Sequence, residues 1–440
     1  MPGDVEWREV LLEDLAAPMR NALVGGPFGS DLVSSDYSPT GVPVIRGENL
    51  SSGRWVGGDF AFVPPAKAQK LAANTAGPLD IIFTQRGANH YRQVAVVPPD
   101  ANGRFVISQS QMKLTVDRRR VDPLFTYYLF RSPIQQEYLQ RNAIQTGVPH
   151  TNLSILRKVP LRIPSLLTQR AIANILGTLD DKIELNRRMN ETLEAMARAF
   201  FKSWFVDFDP VRAKTEGRDP GLPKSLAGLF PDSFEDSELG EIPKGWEVRG
   251  IDEIARFLNG LALQKFPPKN SRSLPVIKIA QLRTGNIAGA DVASADLDSD
   301  YVVDDGDVLF SWSGSLMCVL WTGGRGALNQ HLFKVTSAEF PKWFYYLWIH
   351  QHLADFRHIA AGKATTMGHI QRHHLSDAKV VVPGRDTLKT ASHALSPLVE
   401  RIITTRIESR TLAALRDALL PKLISGELRV RDAERIVEIV

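Results

Sequence analysis

Two long stretches of this chain carry the same alternation of apolar and polar positions. The first runs from Thr168 to Trp204, with apolar residues at Ile172, Ile175, Leu176, Leu179, Ile183, Leu193, Met196, Ala197, Phe200 and Trp204. Steps of three and four residues place these side chains on one stripe of a helix. The second runs from Leu388 to Ile424, with Leu395, Val399, Ile402, Leu412, Leu415 and Leu419 as its stripe. The two align at a constant offset: Ile183 falls on Ile402, Arg187 on Arg406, Leu193 on Leu412 and Trp204 on Leu423. Each has a polar middle, Asn186–Asn190 in one and Thr404–Ser409 in the other. At 1.5 Å per residue the first helix spans roughly 55 Å, longer than a globule of this size needs. Neither helix is expected to stand alone in water, so the two stripes are expected to bury each other as an antiparallel pair.

The segments preceding each helix also repeat. Pro43-Val44-Ile45-Arg46 matches Pro275-Val276-Ile277-Lys278, and Asp80-Ile81-Ile82-Phe83-Thr84 matches Asp307-Val308-Leu309-Phe310-Ser311. Pro123, Phe125, Tyr127, Tyr128 and Leu129 match Pro341, Trp343, Tyr345, Tyr346 and Leu347. Short β-type runs at Val42–Arg46, Asp80–Thr84, Val94–Val97, Gln111–Val116 and Lys158–Ile163 are separated by Gly- and Pro-rich turns. Asp122 before Pro123 predicts a capped helix. The expected class is α+β (mixed α/β): two similar globules held apart by two long antiparallel coiled-coil helices, related by a pseudo-twofold axis. The expected boundaries are 1–165 for the first globule, 166–208 for the central helix and 209–240 for a Pro/Gly-rich linker. Residues 241–384 form the second globule, 385–426 the last helix and 427–440 a tail. Asp386 or Thr387 is the expected cap of that helix, Pro421 is expected to kink or end it, and Gly426 to close it. Two similar surfaces at a set separation suit a duplex whose half-sites run in opposite orientations.

Composition narrows the chemistry. A net charge of +4 and a pI of about 9.0 permit a nucleic-acid partner without requiring one. The single cysteine, Cys318, excludes a disulfide framework and cysteine-ligated zinc. The N-terminal residues lack a signal-peptide pattern and no apolar run reaches membrane-spanning length, so the expected location is the cytoplasm. No adenine-methyltransferase Asn-Pro-Pro-Tyr motif, phosphate-binding loop or nuclease carboxylate–lysine cluster is found.

The motifs resemble the specificity (S) subunit of type I restriction–modification systems. Gly26-Pro27-Phe28-Gly29-Ser30, Gly306–Ser311 and Asn329-Gln330-His331-Leu332-Phe333-Lys334-Val335 look like segments of target-recognition domains. Arg187–Glu194 with Phe201–Pro210 is similar to the family's central conserved region, and Leu419–Leu428 to its C-terminal one. The resemblance implies a non-catalytic, DNA-binding subunit in phage defence. It would read a bipartite double-stranded target, one half per domain, across a gap set by the helices. It would recruit two methyltransferase (M) subunits, which use S-adenosylmethionine for adenine-N6 methylation, and in restricting complexes two ATP- and Mg-dependent restriction (R) subunits. No cofactor is expected in this chain. A coiled-coil scaffold for two protein-binding modules and a nuclease with an unrecognised site are the alternatives.

Base reading calls for Arg or Lys at guanine and Asn or Gln at adenine, on strand ends and loops. In the first domain the candidates are Arg46 and Asn49, the loop Gln85, Arg86, Asn89, His90 and Arg92, then Gln109, Gln111, His150 and Asn152. In the second they are Lys278, Gln281, Arg283, Asn329, Gln330 and His331, with the loop Lys363, Thr365, Thr366, His369, Gln371 and Arg372. A solvated turn is the plainer reading of each. His369 and His373 stand at zinc-ligand spacing, with only Asp377 near to complete a site. Gly26–Ser30 reads as a turn, or as a phosphate-binding nest of backbone N–H groups. Phe201, Trp204, Phe205 and Phe208 are either core or a docking patch for an M subunit.

Overall fold

The computed structural model describes residues 6–50, 53–87, 92–268, 272–362 and 368–438. The chain divides into two units: Met1–Ile183 with Leu412–Val440, and Glu184–Thr411.

The strands of the first unit are β1 (Arg8–Leu11), β2 (Leu23–Gly25), β3 (Val42–Ile45), β4 (Ala61–Val63), β5 (Thr75–Ala76), β6 (Ile81–Thr84), β7 (Val94–Val96), β8 (Phe105–Ile107), β9 (Gln111–Leu114) and β10 (Pro160–Ile163). They form sheets of order β2-β9-β6-β7 and β4-β3-β8-β5 and a β1–β10 ribbon. The second unit opens with a hairpin, β11 (Phe234–Ser237) and β12 (Gly240–Pro243). It continues with β13 (Glu247–Gly250), β14 (Arg256–Asn259), β15 (Ser273–Ile277), β16 (Val292–Ser294), β17 (Val302–Val303), β18 (Val308–Ser311), β19 (Cys318–Leu320), β20 (Gly326–Leu328), β21 (Leu332–Thr336) and β22 (Lys379–Val382). Its sheets have orders β14-β21-β18-β19 and β16-β15-β20-β17, with a β13–β22 ribbon. The duplicated sequence is thus a duplicated topology, including one parallel pair in each unit, β3 with β8 and β15 with β20.

An ion pair is duplicated as well, buried in the first unit and half-buried in the second. Lys113 on β9 lies 3.8 Å from Asp80, and Lys334 on β21 lies 3.0 Å from Asp307. Burial lowers the Lys113 pKa, against the attraction of Asp80.

The central helix spans Leu166–Phe201 and passes into a π turn, Lys202–Val206, before Phe208 breaks it at φ 56°. The C-terminal helix spans Arg385–Ser425 and does not end at Pro421, where the buried Leu419, Leu420, Leu423 and Ile424 anchor it. Gly426, at φ 80°, follows its last residue. Asp386 and Thr387 lie inside its first turn rather than capping it, and the buried Thr387 hydroxyl donates to the Leu229 carbonyl at 2.9 Å.

Residues of the two helices pack against each other in each unit. In the first, Ile172, Ile175, Leu176 and Leu179 share a core with Leu412, Leu419 and Leu423, and Arg416 donates to Asp180 at 2.6 Å. In the second, part of the polar middle turns inward while Arg187, Arg188 and Thr404 stay exposed. Asn186 and Asn190 are buried. Asn186 Nδ2 donates to Glu408 at 2.9 Å and to Ser409 Oγ at 3.3 Å, while Asn190 Oδ1 accepts from Thr405 Oγ1 at 2.5 Å. Later helical positions face later positions inversely, as antiparallel packing requires.

Three expectations need correction. Residues 209–240 are not an open linker. They carry helices Asp209–Thr215 and Lys224–Ala227, and Val211, Leu226 and Phe230 are buried in the second unit's core despite the surrounding Pro and Gly. Residues 427–440 contain a helix, Val430–Glu438, whose Ala433 is buried in the first unit. Phe201, Trp204, Phe205 and Phe208 are core, not a docking patch. Phe201 meets Trp348 at 5.1 Å, and Phe205 meets Trp343 at 5.5 Å and Trp246 at 5.9 Å. Burying so much aromatic surface outweighs leaving it wet for a partner. Met196 and Phe200 of the predicted stripe are exposed, and Ile183 and Leu193 are half-buried.

The same core holds His350, edge-on to Tyr346 at 4.6 Å. Burial holds its pKa down to about 4, helped by Arg198. An unfolded histidine takes up its proton near 6.5, so the unfolded state gains protons first as pH falls. The second unit is therefore fully stabilised above about pH 6.5 and loses up to about 3 kcal/mol between there and pH 4. Thermal unfolding from pH 7.5 to 4.5 should show this slope, and His350→Leu should flatten it.

Candidate nucleic-acid interface

The strand directions bring the predicted readers to one end of the sheets in each unit. In the first unit β2 and β6 finish, and β9 begins, at the same end, because Gly25 pairs with Met112 and Thr84 with Gln111. The parallel strands β3 and β8 finish there too, with Ser108 N donating to the Ile45 carbonyl at 3.0 Å. Four loops leave this end and are tied by backbone bonds. Gly26 N donates to Gln111 O at 2.8 Å and Gln85 N to Ser110 O at 2.6 Å. Gly87 N donates to Pro149 O at 3.1 Å and Thr151 N to Gln85 O at 2.8 Å, completing a short antiparallel ladder through the Arg86–His150 bridge.

The second unit repeats these ties one for one. Gly260 N donates to Leu332 O at 3.0 Å and Trp312 N to His331 O at 3.4 Å. Gly314 N donates to Gly368 O at 2.8 Å and Ile370 N to Trp312 O at 3.0 Å, around a Ser313–His369 bridge. Gln85, Arg86 and His150 therefore correspond to Trp312, Ser313 and His369. Glycine is required at both Gly26 and Gly260. A Cβ on Gly26 would lie 2.0 Å from the Ser108 carbonyl oxygen, and one on Gly260 would lie 2.3 Å from that of Asn329.

The predicted residues then separate by what holds them. Arg86 and Arg92 are exposed, and Gln85 and His150 are half-buried at the surface of the ladder. Arg46 is half-exposed and pairs with Glu48. Gln109 lies at the same end, but its amide donates to Gly29 O at 2.9 Å and Leu32 O at 2.7 Å, so it shapes the loop after β2. Asn49 and Gln111 are corrections: both are buried. Asn49 accepts from Arg46 N at 2.8 Å and donates to the Gly57 and Asp59 carbonyls, so its hydrogen-bonding capacity is spent on the turn. Gln111 accepts from Ser108 beneath the loops. Asn152 caps the helix Leu153–Arg157 by accepting from Ile155 N at 2.9 Å. Asn89 and His90 lie outside the described residues.

In the second unit Lys278 is exposed and pairs with Asp291, and Arg283 is exposed with Nη2 donating to Ser315 Oγ at 3.1 Å. Gln281 is buried and accepts from Lys278 N at 3.2 Å, which makes it a helix cap rather than a reader. Asn329 is likewise buried, accepting from His331 N at 3.3 Å. Gln330 and His331 are half-buried, with His331 Nδ1 3.1 Å from Ser313 Oγ and its ring 5.6 Å from Trp312. His369 is half-buried 6.3 Å from the same indole. Gln371 and Arg372 are exposed, and the Arg372 guanidinium lies 5.8 Å over the Phe333 ring. Lys363, Thr365 and Thr366 lie outside the described residues. Among the described residues no group of three His, Cys, Asp or Glu gathers to hold a metal, and no helix is long and apolar enough to cross a membrane.

Trp312 was not singled out from the sequence. Its indole N–H donates to Asn259 Oδ1 at 2.9 Å and Gln330 O at 3.2 Å, and His331 and His369 gather around it. The duplicated block ending in Thr84 and Ser311 contained the signal, since the next residue in each copy is Gln85 or Trp312.

The type I restriction modification DNA specificity domain family matches residues 37–195 and again 243–411. The MjaIX specificity subunit of Methanocaldococcus jannaschii, a type I restriction enzyme subunit, is 26% identical over 364 residues, covering 80% of this chain and 78% of its own. The HindI specificity subunit of Haemophilus influenzae, also of a type I restriction enzyme, is 26% identical over 383 residues, covering 74% of this chain and 81% of its own. The solved type I restriction–modification S subunit from M. genitalium shares the fold, with a TM-score of 0.54 at 16% identity over 96% of this chain and 97% of that one.

Proposed function

The chain belongs to the type I restriction modification DNA specificity family, and on that premise we propose that each unit reads one half of a bipartite duplex target. The chain is a DNA sequence-recognition subunit. The observation that carries the finer reading is the same four-loop arrangement at one sheet end, built twice. Arg86, Arg92 and Arg46 supply cations for guanine or phosphate in the first half-site, with Gln85 and His150 as polar readers. Arg283, Lys278 and Arg372 play the cationic part in the second, with Gln330, His331 and His369. The paired long helices serve as the spacer between half-sites.

Methylation belongs to partners: two methyltransferase subunits using S-adenosylmethionine on adenine, joined by ATP- and Mg-dependent restriction subunits where cleavage occurs. This chain supplies register and base choice and holds no cofactor of its own. Its place of work is the cytoplasm, with the DNA.

Mapping methylated adenines in DNA from cells carrying this chain with its methyltransferase should give a bipartite motif of constant gap. Exchanging residues 241–384 for another target-recognition domain should rewrite one half only. A contiguous motif, or a change in both halves, would overturn the reading. The isolated chain should bind duplex with affinity falling steeply as salt rises. Salt-insensitive or absent binding would favour a protein scaffold, and metal-dependent cutting by the chain alone would favour a nuclease.

A further inference from the structure

Among the described residues the most exposed large apolar side chain is Phe28, at 85%. It sits at the reading end of the first unit, on the loop that follows β2. An isolated exposed hydrophobic needs no explanation by itself. Phe28 differs because the loop beneath it is pinned on every side. Gly26 N donates to Gln111 O at 2.8 Å, Pro27 is buried, and Asp31 N donates to Phe28 O at 2.8 Å. The Gln109 amide ties down Gly29 O and Leu32 O, and Leu32 is buried. The ring is therefore held out in solvent on a pinned mount.

The second unit repeats two of these ties without the ring. Gly260 makes the bond equivalent to that of Gly26, and Lys265 N donates to Ala262 O at 2.9 Å as Asp31 N does to Phe28 O. Ala262 thus occupies the place of Phe28, and it is half-buried. Since the turn forms with alanine, the fold does not require an aromatic there.

We propose that Phe28 is a wedge that enters the base stack of the half-site read by the first unit. This rests on the recognition role proposed above and adds an asymmetry to it: one half-site is unstacked at a step and the other is not. Apolar side chains inserted between base steps kink duplexes toward the major groove, and an aromatic ring recovers stacking on the parted bases. Sequence preference at that step would then come from how easily it unstacks, since pyrimidine–purine steps open most readily.

The test uses the full chain and the duplex target identified by methylation mapping, with 2-aminopurine placed in turn at each step of the first half-site. Wild type should brighten the probe at one step, Phe28→Ala should abolish the rise, and Phe28→Tyr should keep it. Affinity for the duplex should fall roughly 5- to 150-fold in Phe28→Ala, the range for loss of one base–aromatic stack. The alanine variant should melt with wild type, because the ring contributes nothing to the core. Binding by wild type without a bright step, or Phe28→Ala binding within twofold of wild type, would overturn the wedge. So would normal DNA binding by Phe28→Ala with failed methyltransferase assembly, which would make Phe28 a protein contact. If wild type bound no duplex at all, the recognition role itself would fall, a result distinct from these.

Discussion

Asp80→Ala is expected to destabilise the first unit by about 3–5 kcal/mol, the range for breaking a buried ion pair from one side. Asp80 and Lys113 are both buried. Asp80 also accepts from Gly77 N at 2.8 Å and Thr115 Oγ1 at 2.5 Å, so its removal strands a cation and two donors. The second unit supplies the control. Asp307 and Lys334 are more exposed, and Lys334 keeps a second acceptor, the Val302 carbonyl at 2.8 Å. Asp307→Ala should therefore cost less, about 1.5–3 kcal/mol, the ordinary loss of a hydrogen bond to a charged group. Denaturant unfolding of the two variants against wild type measures both. Equal losses would mean that the depth of burial does not govern the cost.

Gly26→Ala should damage recognition of one half-site, and Gly260→Ala that of the other. Each added methyl would press on a strand-end backbone carbonyl, at 2.0 Å from Ser108 O or 2.3 Å from Asn329 O. No side-chain rotation relieves such a clash, so β2 or β14 must move off its partner strand, at a cost of about 3 kcal/mol, the upper end of the usual range for overpacking. The displaced strand carries the reading loop with it. Binding should then become indifferent to base changes in the corresponding half-site and remain sensitive in the other, with affinity lower by about 100-fold. Competition with duplexes altered in one half at a time reads this directly. Equal damage to both halves from either variant would contradict independent reading.

The fold was legible wherever apolar periodicity is strong. The two long helices follow from apolar periodicity, and the strands Val42–Ile45, Ile81–Thr84 and Gln111–Leu114 from short β-type runs between turns. Asp122 acts as the cap its position before Pro123 implies, accepting from Leu124 N at 2.9 Å and Phe125 N at 3.0 Å. The brief strands β2, β4, β5 and β8 were not legible, because two or three residues give no period to detect. Nor was the burial of residues 209–240, where Pro and Gly outnumber the few apolar anchors. The reading end was legible as a set of loops but not residue by residue. Asn49, Gln111, Gln281 and Asn329 have the right chemistry for bases, and turn and cap geometry claims them instead. Side-chain amides satisfy backbone groups as readily as they satisfy bases. Only the strand register shows which of the two occurs.

The buried amides Asn186 and Asn190 give the helix pair of the second unit a key and keyway. A slide of one turn in either direction would carry Asn186 away from Glu408 and Ser409, and Asn190 away from the Thr405 hydroxyl. Each stranded group costs roughly 1–3 kcal/mol, whereas a purely aliphatic seam would slip past itself at little expense. The shaft is thus locked against creep, and any change in its length must come from added or removed residues and not from play in the fit.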